Sequence, residues 1–240
     1  GVSSSEFDVT NKAKPWATQG LALANFDYII NCIGVLAGGD AEKMKTINAE
    51  FPHRLAKTTK AKIIHMSTDG VFSGKGGPYD EDSPPDATNV YGKSKLAGEV
   101  NAPNVINIRT SIIGPSPFKK KGLLEWFLAQ PDGTMIKGYT NHIWNGVTTL
   151  QFTELCEKII RARAFEDLRA EASVFHFAPN APVTKYELLL LFKKVFEKDV
   201  TVESAEDPRG RVERVLTTKY NGIKKLFPHG NPMEEAIREL

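Results

Sequence analysis

Cysteine is scarce in this chain: two residues in 240, Cys32 and Cys156, stand far apart in the apolar contexts IINCIG and TELCEKII. Two such thiols build neither a disulfide framework nor a metal site, and they read as buried residues of a reducing cytoplasm. Long hydrophobic runs are missing too. No stretch reaches the length of a membrane span, and no segment has the pattern of a signal peptide. Charge of one sign is equally absent. Thirty-one Lys and Arg face 29 Asp and Glu, a net charge of +2, and the only block is Lys119-Lys120-Lys121. Neither a nucleic-acid stripe nor a membrane-facing one is read from that balance. The five histidines, His53, His65, His142, His176 and His229, form no ligand pair at metal spacing, so no metal is expected. What remains is a cytoplasmic globular protein, with 41% hydrophobic residues to fill one large domain or a domain with a small annex.

Short apolar runs alternate with helical patterns: FDYIINCIG, AEKMKTINAEFPHRLAKTTK, AKIIHMSTDGVF, YGKSKLAGEV and NVINIRTSIIG. The alternation predicts βαβ units and a parallel sheet. Tyr28 to Ile30, Ile63-Ile64 and Val105 to Ile108 read as strands covered on both faces. Asn31, Ser67 to Asp69 and Arg109 to Ser111 then sit at carboxyl ends, where open α/β sheets bind ligands. After Gly114 the texture shifts to helices and loops with fewer sheet signals. The expectation is a Rossmann-like doubly wound domain over 1–114, and over 115–240 a small, mainly substrate-binding portion with parts returning to the sheet.

One absence bears on that fold. No Gly-x-x-Gly-x-x-Gly follows any strand, and GVSSSEFDVTN reads as the end of a second strand. GVLAGGD and FSGKGGP do not fit a tight strand-to-helix turn and read as surface turns. The first βα unit is therefore expected to be lacking, with about 40 to 50 residues before Gly1 in the native gene.

Chemistry is carried by two stretches, HMSTDGVFSG and NVYGKSKLAGE. On a helix Tyr91 and Lys95 share a face, where an ammonium beside a phenol lowers its pKa. A hydroxyl of Ser67 or Thr68 from the neighbouring strand end can hold the same substrate oxygen while Tyr91 moves a proton. The plainer alternative packs Tyr91, pairs Lys95 with Glu99 four residues on, and leaves the hydroxyls as caps. The acidic run Asp80-Glu81-Asp82 reads as a solvated loop.

The segment IIHMSTDGVFSGKGGPYDEDSPPDATNVYGKSKLAGE resembles the core of the extended short-chain dehydrogenase/reductases, and within them the dTDP-4-dehydrorhamnose reductase group. The likeness extends through YIINCIG, INAEFPHRLA and INIRTSIIG. It implies an NAD(P)-dependent oxidoreductase with NADP or NAD as cofactor and a nucleotide sugar as substrate, without nucleic acid or membrane and as a possible homodimer. By that resemblance Thr68, Tyr91 and Lys95 are catalytic, with Tyr91 the proton donor and Lys95 also on the nicotinamide ribose. Asp8 and Val9 match positions near the adenine, Cys32, Ile33 and Gly34 the backbone run along the cofactor, and Ser67 also lies on the cofactor side. Asp69 matches a position near the sugar.

Two departures bear on substrate. Gly70 stands where the group has an aromatic residue, and Asn145-Gly146-Val147-Thr148 only half preserves an Asp-Gln-x-Gly-x-Pro-Thr run. Trp144, ahead of Tyr139, is expected to fill the space beside Thr68 and Tyr91, whereas Trp126 and Phe127 read as pocket or core. Arg214 resembles an arginine near the nucleotide phosphates. The implied reaction is reduction of the 4-keto group of a nucleotide-linked deoxysugar other than dTDP-4-dehydrorhamnose. The alternatives are an epimerase or dehydratase of the same superfamily, or a non-catalytic dinucleotide-binding regulatory subunit.

Overall fold

A computed structural model describes residues 8–10, 26–36, 38–116, 120–230 and 232–240. In chain order the strands are β1 (Tyr28–Asn31), β2 (Lys62–Met66), β3 (Val105–Arg109), β4 (Ile112–Ile113), β5 (Thr134–Tyr139), β6 (His142–Trp144), β7 (Val147–Thr148), β8 (Val174–His176), β9 (Val183–Thr184), β10 (Val200–Ala205) and β11 (Val212–Arg214). The helices are α1 (Ala41–Met44), α2 (Phe51–Thr58), α3 (Val90–Ala97), α4 (Leu123–Leu128), α5 (Thr149–Arg161), α6 (Phe165–Glu171), α7 (Lys185–Val195), α8 (Asn221–Leu226) and α9 (Met233–Arg238). They fall into two compact units. The first takes Gly1–Phe72, Pro85–Arg109 and Ala162–Phe175, and the second takes Ser73–Pro84, Thr110–Arg161 and His176–Leu240.

The first unit holds a sheet in the order β1-β2-β3-β8. β1 runs parallel to β2 and β2 to β3, with Asn31 opposite His65 and His65 opposite Asn107. β3 is buried at every residue and β2 at its centre, as the continuous apolar runs of a two-sided parallel sheet require. β1 departs from that expectation, since Ile30 is 45% exposed. Among the described residues β1 is the outer strand, so it has a neighbour on one side only. Phe51 and Leu55 of α2 pack with Ile63, Val100, Val105 and Val9 to form the core of this unit, and Arg54 donates to the Val9 carbonyl.

The helical pattern at 41–58 is realised with a defect. Asp40 caps α1 by accepting from Lys43 N at 2.8 Å, which satisfies one of the orphan donors of a helix start. Lys45–Glu50 is then wound as a π-helix before α2 resumes with Pro52 in its first turn. Proline carries no N–H, so the Asn48 carbonyl cannot receive the α-helical bond from position 52. A local π-bulge is one way to accommodate that gap.

The second unit holds three small sheets where the sequence reading found few strand signals. β10 pairs parallel with β5, β11-β6-β9 form a second sheet, and β4 pairs with β7. Several of these strands are only two or three residues long, too short to show a period of two. Their core gathers Ile113, Leu124, Phe127, Leu188, Phe192 and Ile237, with the Phe127 and Phe192 rings 5.5 Å apart. A capping box between Thr184 and Glu187 starts α7. Glu81 is no solvated loop residue. Its carboxylate accepts from His176 N at 2.8 Å, from the Thr218 hydroxyl at 2.5 Å and from Lys219 N at 3.0 Å, and Asp82 pairs with Lys219. The acidic run thus clamps residues 218 and 219, a role that its composition alone conceals.

Candidate active site

β2 ends at Met66, and the next residues carry the polar groups. Ser67 N donates to Ile108 O at 2.7 Å, which ties the strand end to β3. Thr68 adopts extended backbone and caps the 3-10 turn Asp69–Val71, its Oγ1 accepting from Gly70 N at 3.0 Å. The same hydroxyl lies 3.2 Å from Asp69 Oδ1, to which it donates.

The position of α3 is set by two glycines. A Cβ on Gly92 would overlap the Gly70 carbonyl oxygen, and a Cβ on Gly98 would overlap the carbonyl oxygen of Asn48, at the π-helical segment. Only hydrogen at these positions lets the helix approach backbone at both ends. Asn89 caps α3 through Gly92 N at 2.8 Å. The approach brings Tyr91 beside the Thr68 side chain: a Cβ on Gly70 would stand 3.2 Å from Thr68 Oγ1 and 3.3 Å from Tyr91 Cε1. Lys95, only 4% exposed, reaches under the strand end and donates from Nζ to Met66 O at 2.7 Å.

Lys95 is therefore not paired with Glu99. The Glu99 carboxylate takes Arg109 in a bidentate pair at 2.8 Å through both oxygens and accepts the Ser67 hydroxyl at 2.6 Å. Arg109, at a strand end where ligand contact was expected, is committed to this pair and lies over the Phe72 ring.

The electrostatics differ from the sequence expectation. Burial pushes the Tyr91 phenol up, the Thr68 hydrogen bond pulls it down, and the Asp69 carboxylate pushes it up. Tyr91 is accordingly a phenol at neutral pH, not a phenolate favoured by an ammonium. Burial lowers Lys95 from its usual 10.5 to about 8, against the opposing pull of Glu99 and of Cys32. His65 is held well below its usual value by burial and by Lys95, so its ring is uncharged. Its Nδ1 accepts from the Asn31 amide at 3.0 Å.

Past β1, Cys32, Ile33 and Gly34 are exposed, which corrects the expectation of two buried thiols: only Cys156 is buried. The run they open does join a strand to a helix, as a long connection from β1 to α1. Asn31 Oδ1 accepts from Ile33 N at 3.2 Å. Asn48 holds both backbone groups of Val35, accepting from its N at 2.7 Å and donating to its O at 2.9 Å, and it also donates to Ser94 Oγ at 3.0 Å. Sequence reading passed over Asn48. Its signal was an asparagine inside a helix, a position where the side chain competes with backbone unless it has work elsewhere. A Cβ on Gly34 would stand 3.5 Å from Asn48 Oδ1, in ordinary contact with the brace. An exposed backbone run braced from behind, beside a buried lysine, fits the flank of a dinucleotide. Asp8 is exposed and accepts from Thr10, while Val9 is buried.

Trp144, Asn145 and Arg214 belong to the second unit. The Trp144 ring packs against the core of that unit, and Gly146 lacks the side chain that would strike it. Asn145, 4% exposed, spends its amide on Leu216, donating to O at 2.8 Å and accepting from N at 2.9 Å. Arg214 stands opposite Trp144 in the β11/β6 register. Phe127 is core, whereas Trp126 is 44% exposed. Among the described residues no cluster of His, Cys, Asp and Glu could hold a metal ion, and no helix is long and apolar enough to cross a membrane.

A parallel sheet flanked by helices, with a strand-end Ser-Thr and a helical Tyr-x-x-x-Lys behind it, defines a Rossmann-like α/β protein. More narrowly, the chain belongs to the RmlD substrate binding domain family, whose profile matches residues 1–210. It is 38% identical over 86 residues to a dTDP-4-dehydrorhamnose reductase of Mycolicibacterium smegmatis, a stretch covering 32% of this chain and 26% of that relative. The stretch thus spans about a quarter of the curated reductase. A longer match, 27% identical over 213 residues, is to methionine adenosyltransferase 2 subunit beta of Danio rerio and covers 82% of this chain and 65% of that one. Among solved structures, the Bacillus anthracis dTDP-4-dehydrorhamnose reductase in complex with NADP superposes with a TM-score of 0.75 at 19% identity, covering 99% of this chain and 87% of the other. Likeness at that identity speaks for the fold.

Proposed function

We propose that this chain belongs to an NAD(P)H-dependent reductase acting on the 4-keto group of a nucleotide-linked deoxysugar. The carrying observation is that Thr68 and Tyr91 stand side by side at Gly70, with the buried Lys95 one turn further along the helix that carries Tyr91. Two neighbouring hydroxyls can serve one carbonyl oxygen gaining negative charge, with Thr68 turning its proton from Asp69 toward that oxygen. Bound NADPH or NADH supplies the hydride to the carbonyl carbon. Thr68 steadies the oxygen, and Tyr91, kept protonated by burial, gives its proton to the alkoxide. The Lys95 ammonium offsets the phenolate left behind and serves the nicotinamide ribose. Cys32, Ile33, Gly34 and Ser67 are proposed along the cofactor, with Asp8 and Val9 toward its adenine end. Asp69 is proposed on the sugar side, and Gly70, which lacks the aromatic side chain of the group, is our ground for a ketosugar other than dTDP-4-dehydrorhamnose. In the second unit Arg214 is our candidate for the nucleotide phosphates, and Trp144, its neighbour in register, for the sugar of the substrate.

The test is NAD(P)H consumption against a panel of nucleotide-4-ketosugars. Tyr91→Phe should lower turnover by about a hundred- to ten-thousand-fold, the usual cost of a lost general acid, with cofactor binding retained. A Tyr91→Phe protein that turns over at the normal rate would overturn the assignment. A curated match over 82% of this chain is named as a subunit of another enzyme, and that favours a second reading, a dinucleotide-binding regulatory subunit. It predicts cofactor binding without turnover of any ketosugar in the panel.

A further inference from the structure

Behind the Thr68, Tyr91 and Lys95 cluster lies a second, fully internal group that touches no reacting atom. The Glu99 and Arg109 side chains are 7% and 6% exposed, and their bidentate pair carries a third partner, the Ser67 hydroxyl, at 2.6 Å. Ser67 immediately precedes Thr68, and Glu99 lies one turn beyond Lys95. A carboxylate with three donors around it joins the strand end that presents Thr68 to the helix that presents Tyr91 and Lys95. From this geometry we propose that Glu99 is a positioning residue for the candidate reductase site: clamped by Arg109, it fixes the Ser67-Thr68 strand end through the Ser67 hydroxyl and supplies the negative charge that keeps Lys95 an ammonium.

The inference rests on the reductase reading, and its physical basis is separable from it. A buried carboxylate held by a planar guanidinium cannot reorient to follow a mobile hydroxyl, so the hydroxyl is fixed instead. Lys95 is faced by Glu99 two residues past the end of α3, by the Cys32 thiol past β1 and by the uncharged His65 ring on β2. Tyr91 is a phenol, Asp69 acts on Tyr91, and Arg109 is bound to Glu99. Glu99 is thus the carboxylate that holds the Lys95 proton in place, and burial opposes it.

The experiment compares Glu99→Gln, Glu99→Asp, Ser67→Ala and Tyr91→Phe in the full-length protein, reading kcat, KM, NADPH binding and their pH dependence, with circular dichroism as the check on folding. Glu99→Gln should lower kcat about tenfold with KM little changed, as lost orientation does. Its alkaline limb, where Lys95 loses its proton, should move about one unit to lower pH because an opposing charge has gone. Glu99→Asp keeps the charge and should restore the limb without restoring kcat. Ser67→Ala should lower kcat severalfold and leave the limb in place. A folded Glu99→Gln protein with an unmoved limb overturns the electrostatic half, and Ser67→Ala at the normal rate overturns the positioning half. Should Glu99→Gln not fold, Glu99→Asp and Ser67→Ala still decide, since both at the normal rate refute the proposal. Tyr91→Phe separates the two failures: full turnover there sinks the reductase reading itself. If no ketosugar is turned over, the limb is read in NADPH binding, and an unmoved limb there overturns the proposal equally.

Discussion

Lys95 should destabilise the protein that it serves. Its ammonium is buried, and its pKa falls from 10.5 to about 8. At 1.36 kcal/mol per pKa unit, that drop corresponds to about 3 kcal/mol at pH 7. The folded pKa lies below the unfolded one, so between roughly pH 8 and 10.5 the unfolded chain binds more protons and stability rises with pH. Below that window both states are protonated and the full cost applies. Lys95→Met removes the charge and keeps an unbranched apolar stem, but it also removes the 2.7 Å hydrogen bond to Met66 O, worth about 1 kcal/mol. The net expectation is a variant more stable than the parent by about 2 kcal/mol at pH 7, inactive, and with no stability gain between pH 8 and 10.5. Urea titrations of both proteins at pH 7 and pH 10 measure this directly. A Lys95→Met protein less stable than the parent at pH 7, or one that keeps the same rise with pH, would refute the reasoning.

Two further outcomes follow from the architecture of the site. Gly92→Ala should force α3 away from the Gly70 carbonyl, lowering the melting temperature and cutting turnover at least as deeply as Tyr91→Phe. A normal rate in that variant would show that helix depth does not set the Tyr91 to Thr68 contact. Asn48→Ala should release the backbone of Val35 and weaken NADPH binding by about tenfold, in the range typical of lost supporting contacts, as read by fluorescence titration.

The legible parts of this fold were the ones with a period. β2, β3 and α3 announce themselves through apolar runs and capping residues, and Tyr91, Lys95 and Thr68 could be grouped because helix geometry and strand ends are local rules. What stayed hidden depends on partners distant in sequence. Spacing alone offers Glu99 to Lys95 as the plainer alternative, yet Glu99 is held by Arg109, and no local rule weighs the two. The direction of the Tyr91 shift needed burial and the Asp69 charge, neither visible in a motif. Glu81 read as solvent-facing because its neighbours are acidic, although its acceptors are filled from residues 176, 218 and 219. The two- and three-residue strands of the second unit are defined by pairing alone.

The two close glycine approaches of α3 have an evolutionary corollary. Main-chain atoms meet main-chain atoms at Gly92 and Gly98, so the depth of the helix is indifferent to which side chains surround it. Lys93 and Ala97 face solvent and can drift, whereas a side chain at Gly70 would press on Thr68 and Tyr91. A lineage built on this plan can change its solvent-facing positions while the depth of the helix is inherited intact, and directed diversification should therefore leave positions 70, 92 and 98 untouched.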